Sequence, residues 1–324
     1  MILNFQIKSK YMIRIFKRLK GMKTGKLLSR FETNSLIDVS NPTNKEIKEI
    51  EEKFKIPQTD IGFFLDRDEP ARISNEEYGT VIILKVVLDR GKNKKMKLTT
   101  LTIIIRKDSV VLIHKDQIKF IDDLIEHVEK GFYTDKKIRT LLIILKKLTS
   151  DFIQKTKKLQ MLTEEVEKDL LKTFKVEEFI KYTTIRSSLI YLNEGIIENS
   201  KVLESILRGK KKYIKIFKSD RELLEDIVID NRQLVRSISV LMQATVSTMD
   251  GYASLVSLNL ERIMKRLTDL TVILSVFVGI ASFYGMNVAL PLQHNPYAFY
   301  FIIGTAFSIS ILVLFFLKIK GWYG

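Results

Sequence analysis

Residues 270–317 form a run of 48 residues without a single Asp, Glu, Lys or Arg, in a 324-residue chain of which 28% is charged. The run is broken once, near its middle, by Tyr284-Gly285-Met286-Asn287 and a proline-bearing loop that ends at Pro296. Two apolar segments of about 15–21 residues remain, and helices of that length cross roughly 30 Å of hydrocarbon. The pattern predicts a C-terminal membrane hairpin of two helices.

Charge sets the orientation. Arg262, Lys265 and Arg266 precede the first span, Lys318 and Lys320 follow the second, and the connecting loop has no basic residue. The positive-inside rule then puts both termini in the cytoplasm of a multi-pass protein of the cell membrane. About ten residues face outside, too few for a receptor domain. The net charge of +16 fits basic residues beside anionic lipid better than nucleic-acid binding, and no nucleic-acid partner is expected. Residues 1–30 carry nine Lys or Arg and no acid. They read first as a basic tail, solvated or skimming lipid. A first element of the soluble domain or a nucleic-acid arm are the alternatives.

Cysteine is absent, which removes disulfides and thiolate metal sites. His114, His127 and His294 are scattered and read as ordinary surface or packing residues. No GxxxxGK[ST] and no nucleophile–base–orienter spacing stands out, so the chain is not expected to be an enzyme.

Upstream, residues from about 24 to 131 read as a mixed α/β domain. A short strand at 35–39 leads into Ser40-Asn41-Pro42-Thr43, where Asn or Thr can cap a helix over 45–55. β-Branched runs at 80–88, 98–106 and 109–114 predict strands, and 117–130 returns to helical spacing. Two long helices follow, about 135–172 and 176–208, broken near Lys172-Thr173-Phe174, then a basic connector at 208–212. Residues 220–284 contain no proline, and one helix over them would span roughly 95 Å. Such a rod needs neighbouring helices or further copies of itself, and a stalk entering the membrane is the simplest account.

Thr268, Thr271, Ser275 and Ser282 are spaced to share one face of the first span. A polar stripe in a membrane helix either hydrogen-bonds locally or to a partner, or faces water. Two spans cannot enclose a water path, so a pore requires a ring of copies. In such a ring Thr268, Thr271, Ser275, Val278 and Ser282 would line the pore. Met264 and Leu267 would form an apolar gate below them. Asp269, at the membrane edge, is expected to pair with Lys265 or Arg266 rather than line the pore.

Tyr284-Gly285-Met286-Asn287 at the end of a first span, followed by a short loop and a terminal span with a basic tail, resembles the CorA family of magnesium channels. Met264-Lys265-x-Leu267-Thr268, starting twenty residues before Tyr284, is similar to that family's Met-Lys-x-Leu-Thr. Lys318-x-Lys320-Gly321-Trp322 is similar to its basic terminus, Leu36-Ile37-Asp38-Val39 to its soluble-domain start, and Asp226-Ile227-Val228 to a segment of its stalk. Departures are Glu261 in place of an Asn, Ser275-Val276 in place of Met-Pro, and Ser282 in place of a Gly. The resemblance implies an α+β membrane protein assembled as a homopentameric funnel. Residues 1–131 would be the basic tail and α/β cytoplasmic domain, 132–218 a long helical hairpin, and 219–266 the stalk helix. Residues 267–287 would be the pore-lining span, 288–296 the external loop, 297–317 the second span and 318–324 a basic cytoplasmic tail.

The function it implies is passive, potential-driven Mg²⁺ transport, with Co²⁺ or Ni²⁺ as further cargo. Gly285, Met286 and Asn287 would form the selectivity filter. Mg²⁺ sheds water reluctantly, and neutral oxygens from Asn287 and the Gly285 carbonyl would address its hydration shell. The membrane potential supplies about 2.3 kcal/mol per charge per 100 mV, roughly double for a divalent ion. The family also implies a regulatory Mg²⁺ that favours closure, held between subunits by an aspartate matching Asp226. Glu222 and Asp230 flank it at i±4, and Asp60, Asp66 and Asp68 are candidate partners. The opposing reading is a solvated acidic face moderated by Arg221 and Arg232. At the level of function, the alternatives are a Zn²⁺ transporter of the same fold and a membrane-tethered helical scaffold or nucleic-acid binder.

Overall fold

The computed structural model describes residues 13–22, 24–89, 91, 95–126, 131–173, 176–209, 213–214, 216–292 and 294–319. The N-terminal end of the basic tail, His127, Lys210 to Lys212 of the connector, and Lys320 with Trp322 lie outside these residues. Two compact units divide between Ser247 and Thr248.

A seven-stranded sheet forms the first unit's centre. Its strands are β1 (Ile13–Lys17), β2 (Lys26–Leu28), β3 (Ser35–Ser40), β4 (Arg72–Glu76), β5 (Gly79–Leu88), β6 (Lys97–Ile105) and β7 (Ser109–His114). They lie in the order β2-β1-β3-β7-β6-β5-β4, antiparallel except for the β3–β7 pair. The strands expected at 35–39, 80–88, 98–106 and 109–114 are present within a residue. β5, β6 and β7 are buried almost throughout, which explains their continuous β-branched runs where a half-exposed strand would alternate. The β4–β5 hairpin turns tightly, and a Cβ on Gly79 would lie 2.8 Å from the Ile105 carbonyl oxygen. Only glycine lets β5 and β6 close there.

Helices α1 (Asn44–Phe54) and α2 (Gln58–Phe64) place Ile50, Phe54, Ile61 and Phe64 in a core with Ile37, Val39, Val81 and Ile104. Thr43 is the cap of α1. Its hydroxyl accepts from the Glu46 amide, and Glu46 accepts back from the Thr43 amide at 2.8 Å, a capping box. The helix expected at 117–130 is α3 (Lys119–Glu126), and 127–130 lie outside the described residues.

The α/β domain begins earlier than residue 24. Ile13–Lys17 pairs with both β2 and β3, so this part of the basic stretch is a first element of the domain, not a solvated tail. Its positive charge is used internally. Arg14 bonds Asp38 at 2.9 and 2.6 Å and Asp122 at 2.6 Å, and Arg18 donates to the Phe132 carbonyl.

Helices α4 (Lys137–Thr173) and α5 (Val176–Leu207) form the expected hairpin. The long helix is α6 (Lys218–Tyr284), 67 residues. Its first half packs in the soluble unit through Leu224, Ile227, Val228, Leu234 and Ile238, with Asn231 bonding Ser200 of α5. In the second unit, the end of α6 runs beside α7 (Ala298–Ile319), where Ala306 and Ser310 are the buried residues. Phe277 meets Phe307 edge to face at 5.1 Å.

Candidate ion pathway and metal sites

The last turns of α6 carry two different faces. Val272, Ile273, Val276, Phe277 and Ile280 are partly covered, while Met264, Leu267, Thr271, Ser275, Val278 and Ser282 are exposed on the opposite side, with Thr268 half-buried among them. A 100° advance per residue accounts for this division, since positions 264, 268, 271, 275, 278 and 282 recur at three- and four-residue steps. α7 therefore leaves the hydroxyl line uncovered, with Met264 at 60%, Leu267 at 55% and Val278 at 63% exposure.

Three hydroxyls on this line bond back into their own helix. Thr268 donates to the Met264 carbonyl at 2.9 Å, Thr271 to Leu267 at 2.8 Å and Ser275 to Thr271 at 2.7 Å. Each hydroxyl has one proton, and that proton is spent on the backbone. What remains outward is a ladder of oxygen lone pairs. Such a face accepts hydrogen bonds from the water shell of a cation and offers nothing to an anion.

At the end of α6 the Gly285 amide bonds the Ala281 carbonyl at 2.9 Å and the Met286 amide bonds Phe283 at 3.3 Å, turning the chain out of the helix. Gly285 has no positive φ, and a Cβ there would sit 3.4 Å from the Ala281 oxygen, an ordinary contact. Nothing within one chain requires glycine at this position. Asn287 is exposed, with no hydrogen bond from its side chain among the described residues. The loop is closed by Tyr284, whose hydroxyl donates to the Pro291 carbonyl, and by Asn295, whose side chain accepts from the Tyr297 amide at 2.9 Å ahead of α7. His294 is exposed in this loop.

The pairing expected for Asp269 is not formed. Lys265 reaches back to Glu261 at 3.0 Å, and the Asp269 Oδ1 atom is covered yet has no partner among the described residues. An acid four residues N-terminal to a Lys pairs better on a helix than one four residues C-terminal to it, and Glu261 stands in the favoured place. Asp269 lies on the covered side of α6, away from the hydroxyl line.

Glu222, Asp226 and Asp230 are all exposed on the first half of α6. The arginines expected to moderate them bond elsewhere: Arg221 to Glu225 at 2.9 Å and Arg232 to Glu204 at 3.1 Å. The three carboxylates have no ion-pair partner among the described residues. Asp66 and Asp68 are exposed on the loop after α2, where the Asp68 amide bonds the Asp66 carboxylate at 3.0 Å, and Asp60 accepts from the Tyr78 hydroxyl at 2.6 Å. Among the described residues of one chain, no three His, Asp or Glu side chains converge on a metal-sized space.

These features define a two-span membrane protein whose soluble α/β unit leads, through one long helix, to an uncharged turn and a lone-pair-bearing helix face. The family described as CorA-like Mg²⁺ transporter protein matches residues 32–319, and the chain belongs to that family. It is 30% identical over 292 residues to the cobalt/magnesium transport protein CorA of Methanocaldococcus jannaschii, covering 88% of this chain and 90% of the relative. The complete structure of the CorA magnesium transporter from the same organism superposes with a TM-score of 0.79 at 27% identity, over 96% of this chain and 99% of that one. The cytoplasmic domain of ZntB from Vibrio parahaemolyticus superposes with a TM-score of 0.61 at 9% identity, over 76% of this chain and 98% of that domain, a likeness of fold alone. The chain is a transporter-family protein, not an enzyme.

Proposed function

We propose that the chain forms a homopentameric channel through which Mg²⁺ enters the cell passively, driven by the membrane potential, with Co²⁺ and Ni²⁺ as further cargo. The observation that carries this reading is the Asn287 amide, without a side-chain partner among the described residues, on an uncharged turn at the top of a helix face where the Thr268, Thr271 and Ser275 hydroxyls expose only lone pairs. Five copies bring five Asn287 amides and five Gly285 carbonyls together at the outer mouth. The absence of an intrachain need for glycine at 285 supports a close approach made by neighbouring copies. Met286 braces the turn. The ring binds a hydrated ion through neutral oxygens, weakly enough to release it.

Below the ring the line of Ser282, Val278, Ser275, Thr271 and Thr268 carries the ion with its water shell. The collars of Leu267 and Met264 close it by dewetting. Intracellular Mg²⁺ favours the closed state by binding between subunits to Asp226, with Glu222 and Asp230 beside it and Asp66 or Asp68 from the neighbour. Exposed carboxylates without basic partners suit a hydrated Mg²⁺, which keeps most of its waters and needs only one or two acids. Both termini lie in the cytoplasm, and lipid covers the apolar surface of α7.

The test is Mg²⁺ uptake into vesicles at a fixed potential. Asn287→Ala lowers uptake by about tenfold or more, the loss expected when an ion's recognition oxygens are removed. Equal uptake by wild type and variant removes the ring from its role. Competition by Co²⁺, Ni²⁺ and Zn²⁺ in the same vesicles ranks the cargo.

A further inference from the structure

We propose that the soluble unit binds a nucleoside polyphosphate in the cavity bounded by the first turns of α4 and α6. The cavity has a volume of about 920 Å³ and lies wholly within the residues before Ser247, a size that suits a cofactor-sized ligand. It takes no part in the ion pathway.

Its electrostatics favour a polyanion. Among the described residues, five cationic side chains and two carboxylates line it. Residues 135–139 open α4 and residues 217–220 open α6, so two helix N-termini border one space. The Asp220 and Arg221 amides already bond the Phe217 carbonyl, and the two positive helix ends reinforce each other at an anion. Arg139 joins the helices by an ion pair to Asp220 at 3.2 Å. Arg106, on the turn after β6, is anchored by the Phe54 carbonyl and by Asp108. These two guanidinium groups are held in place. Lys136 is exposed and has no ion pair among the described residues, which leaves its ammonium to a ligand.

Two further observations select a nucleotide over simple phosphate. Phe217, immediately before α6, is 69% exposed on the cavity wall, and Tyr213 lines the same space. A ring left open to water beside a basic cradle offers a stacking face for a base. Asp135 lines the cavity with a covered Oδ1 that has no hydrogen-bond partner among the described residues. A covered acceptor of this kind needs a donor. Phosphate is repelled by the carboxylate, whereas a neutral ribose hydroxyl or exocyclic amine donates to it without that repulsion.

Equilibrium dialysis of radiolabelled ATP against the full-length protein in detergent, with EDTA to remove divalent ions, tests the assignment. The expected result is one saturable site per chain at millimolar ATP or below, with inorganic tripolyphosphate and adenosine each competing about tenfold less well. Lys136→Glu and Phe217→Ala each weaken ATP binding about tenfold, while circular dichroism and elution volume stay those of the wild type. Lys136→Gln gives a smaller loss in the same direction. Absence of saturable ATP binding, wild-type affinity in both main variants, or tripolyphosphate competing as well as ATP overturns the proposal.

Discussion

Asp38 lies in the middle of β3, fully buried, and is nonetheless ionised. Burial alone would raise its pKa. The charges and hydrogen bonds of His114 and Arg14 outweigh that and hold it below the ordinary carboxylate range. His114 faces Asp38 at 2.9 Å through Nε2 and the Asp116 carbonyl at 2.7 Å through Nδ1. A carbonyl oxygen can only accept and so can an ionised carboxylate, so both ring nitrogens donate and the ring is an imidazolium. Burial opposes that state, but Asp38 and the Asp116 carbonyl raise the His114 pKa above its ordinary 6.5. Because the folded value is raised, the stabilisation is complete below pH 6.5 and is lost as pH rises through the folded value. For Asp38 the folded value is lowered, so its contribution is complete above 3.8 and is lost as pH falls through it. Urea unfolding of the detergent-solubilised protein is expected to show stability declining above neutral pH in the wild type, and this decline is absent in His114→Gln. That variant is also less stable near pH 6 by about 3–5 kcal/mol, since it leaves Asp38 buried with one partner fewer. A wild-type alkaline slope retained in His114→Gln rules out the imidazolium. At the proposed regulatory position, Asp226→Ala and Asp226→Lys are expected to raise the internal Mg²⁺ needed to halve the flux, by about tenfold for the loss of one carboxylate. Unchanged closure in both variants excludes Asp226 as the sensor.

At the scale of single elements, the end of α6 was readable because helical geometry alone aligns residues 268, 271, 275 and 282. The structure adds what spacing does not say: three hydroxyls are turned inward by their own backbone and present oxygens outward. Thr271→Val with Ser275→Ala preserves the helix and removes two acceptors. Potential-driven Mg²⁺ flux in vesicles is expected to fall about tenfold, at roughly 0.5–1.5 kcal/mol per hydrogen bond lost. Flux equal to wild type would show that the line does not meet the ion's water. The elements missed in the sequence share a physical cause. β1 mixes the apolar Ile13, Ile15 and Phe16 with Arg14 and Lys17, and its charges read as solvated only until Asp38, Asp122 and Glu32 are known to face them. β2 has three residues, and α2 has seven after Pro57 with Gly62 inside. The edge strand β4 is polar and adjoins β5 alone. None is long enough to establish a period. The pairing expected at Asp269 failed for a different reason: Lys265 had two acids within reach, and Glu261, four residues N-terminal to it, is the favoured partner on a helix.

As a whole molecule, the chain divides into a part that buries its own core and a part that does not. Before Ser247 the sheet and its helices enclose residues such as Ile37, Leu84, Leu101 and Phe152 completely. After it, Leu270, Leu274, Ile311, Leu312 and Phe315 each expose more than half their surface. So large an apolar surface requires lipid or further copies of the chain. A fragment ending at Ser247 is therefore expected to be soluble without detergent and to unfold in one cooperative urea transition, followed by circular dichroism. A fragment that aggregates or melts gradually would show that the sheet depends on the membrane part. The two apolar helices, the long helices before them, the four central strands and the Gly285-Met286-Asn287 turn were all legible along the chain. Hydropathy, period and charge bias are local properties that survive without knowledge of the chain's path. Three features emerged only from the folded chain: the basic N-terminal stretch enters the sheet, Arg14, Asp38, His114 and Asp122 form one charge cluster, and Arg106, Asp135 and Phe217 share a cavity. Those groups are far apart along the chain, and their meeting depends on the sheet order, which no local pattern encodes.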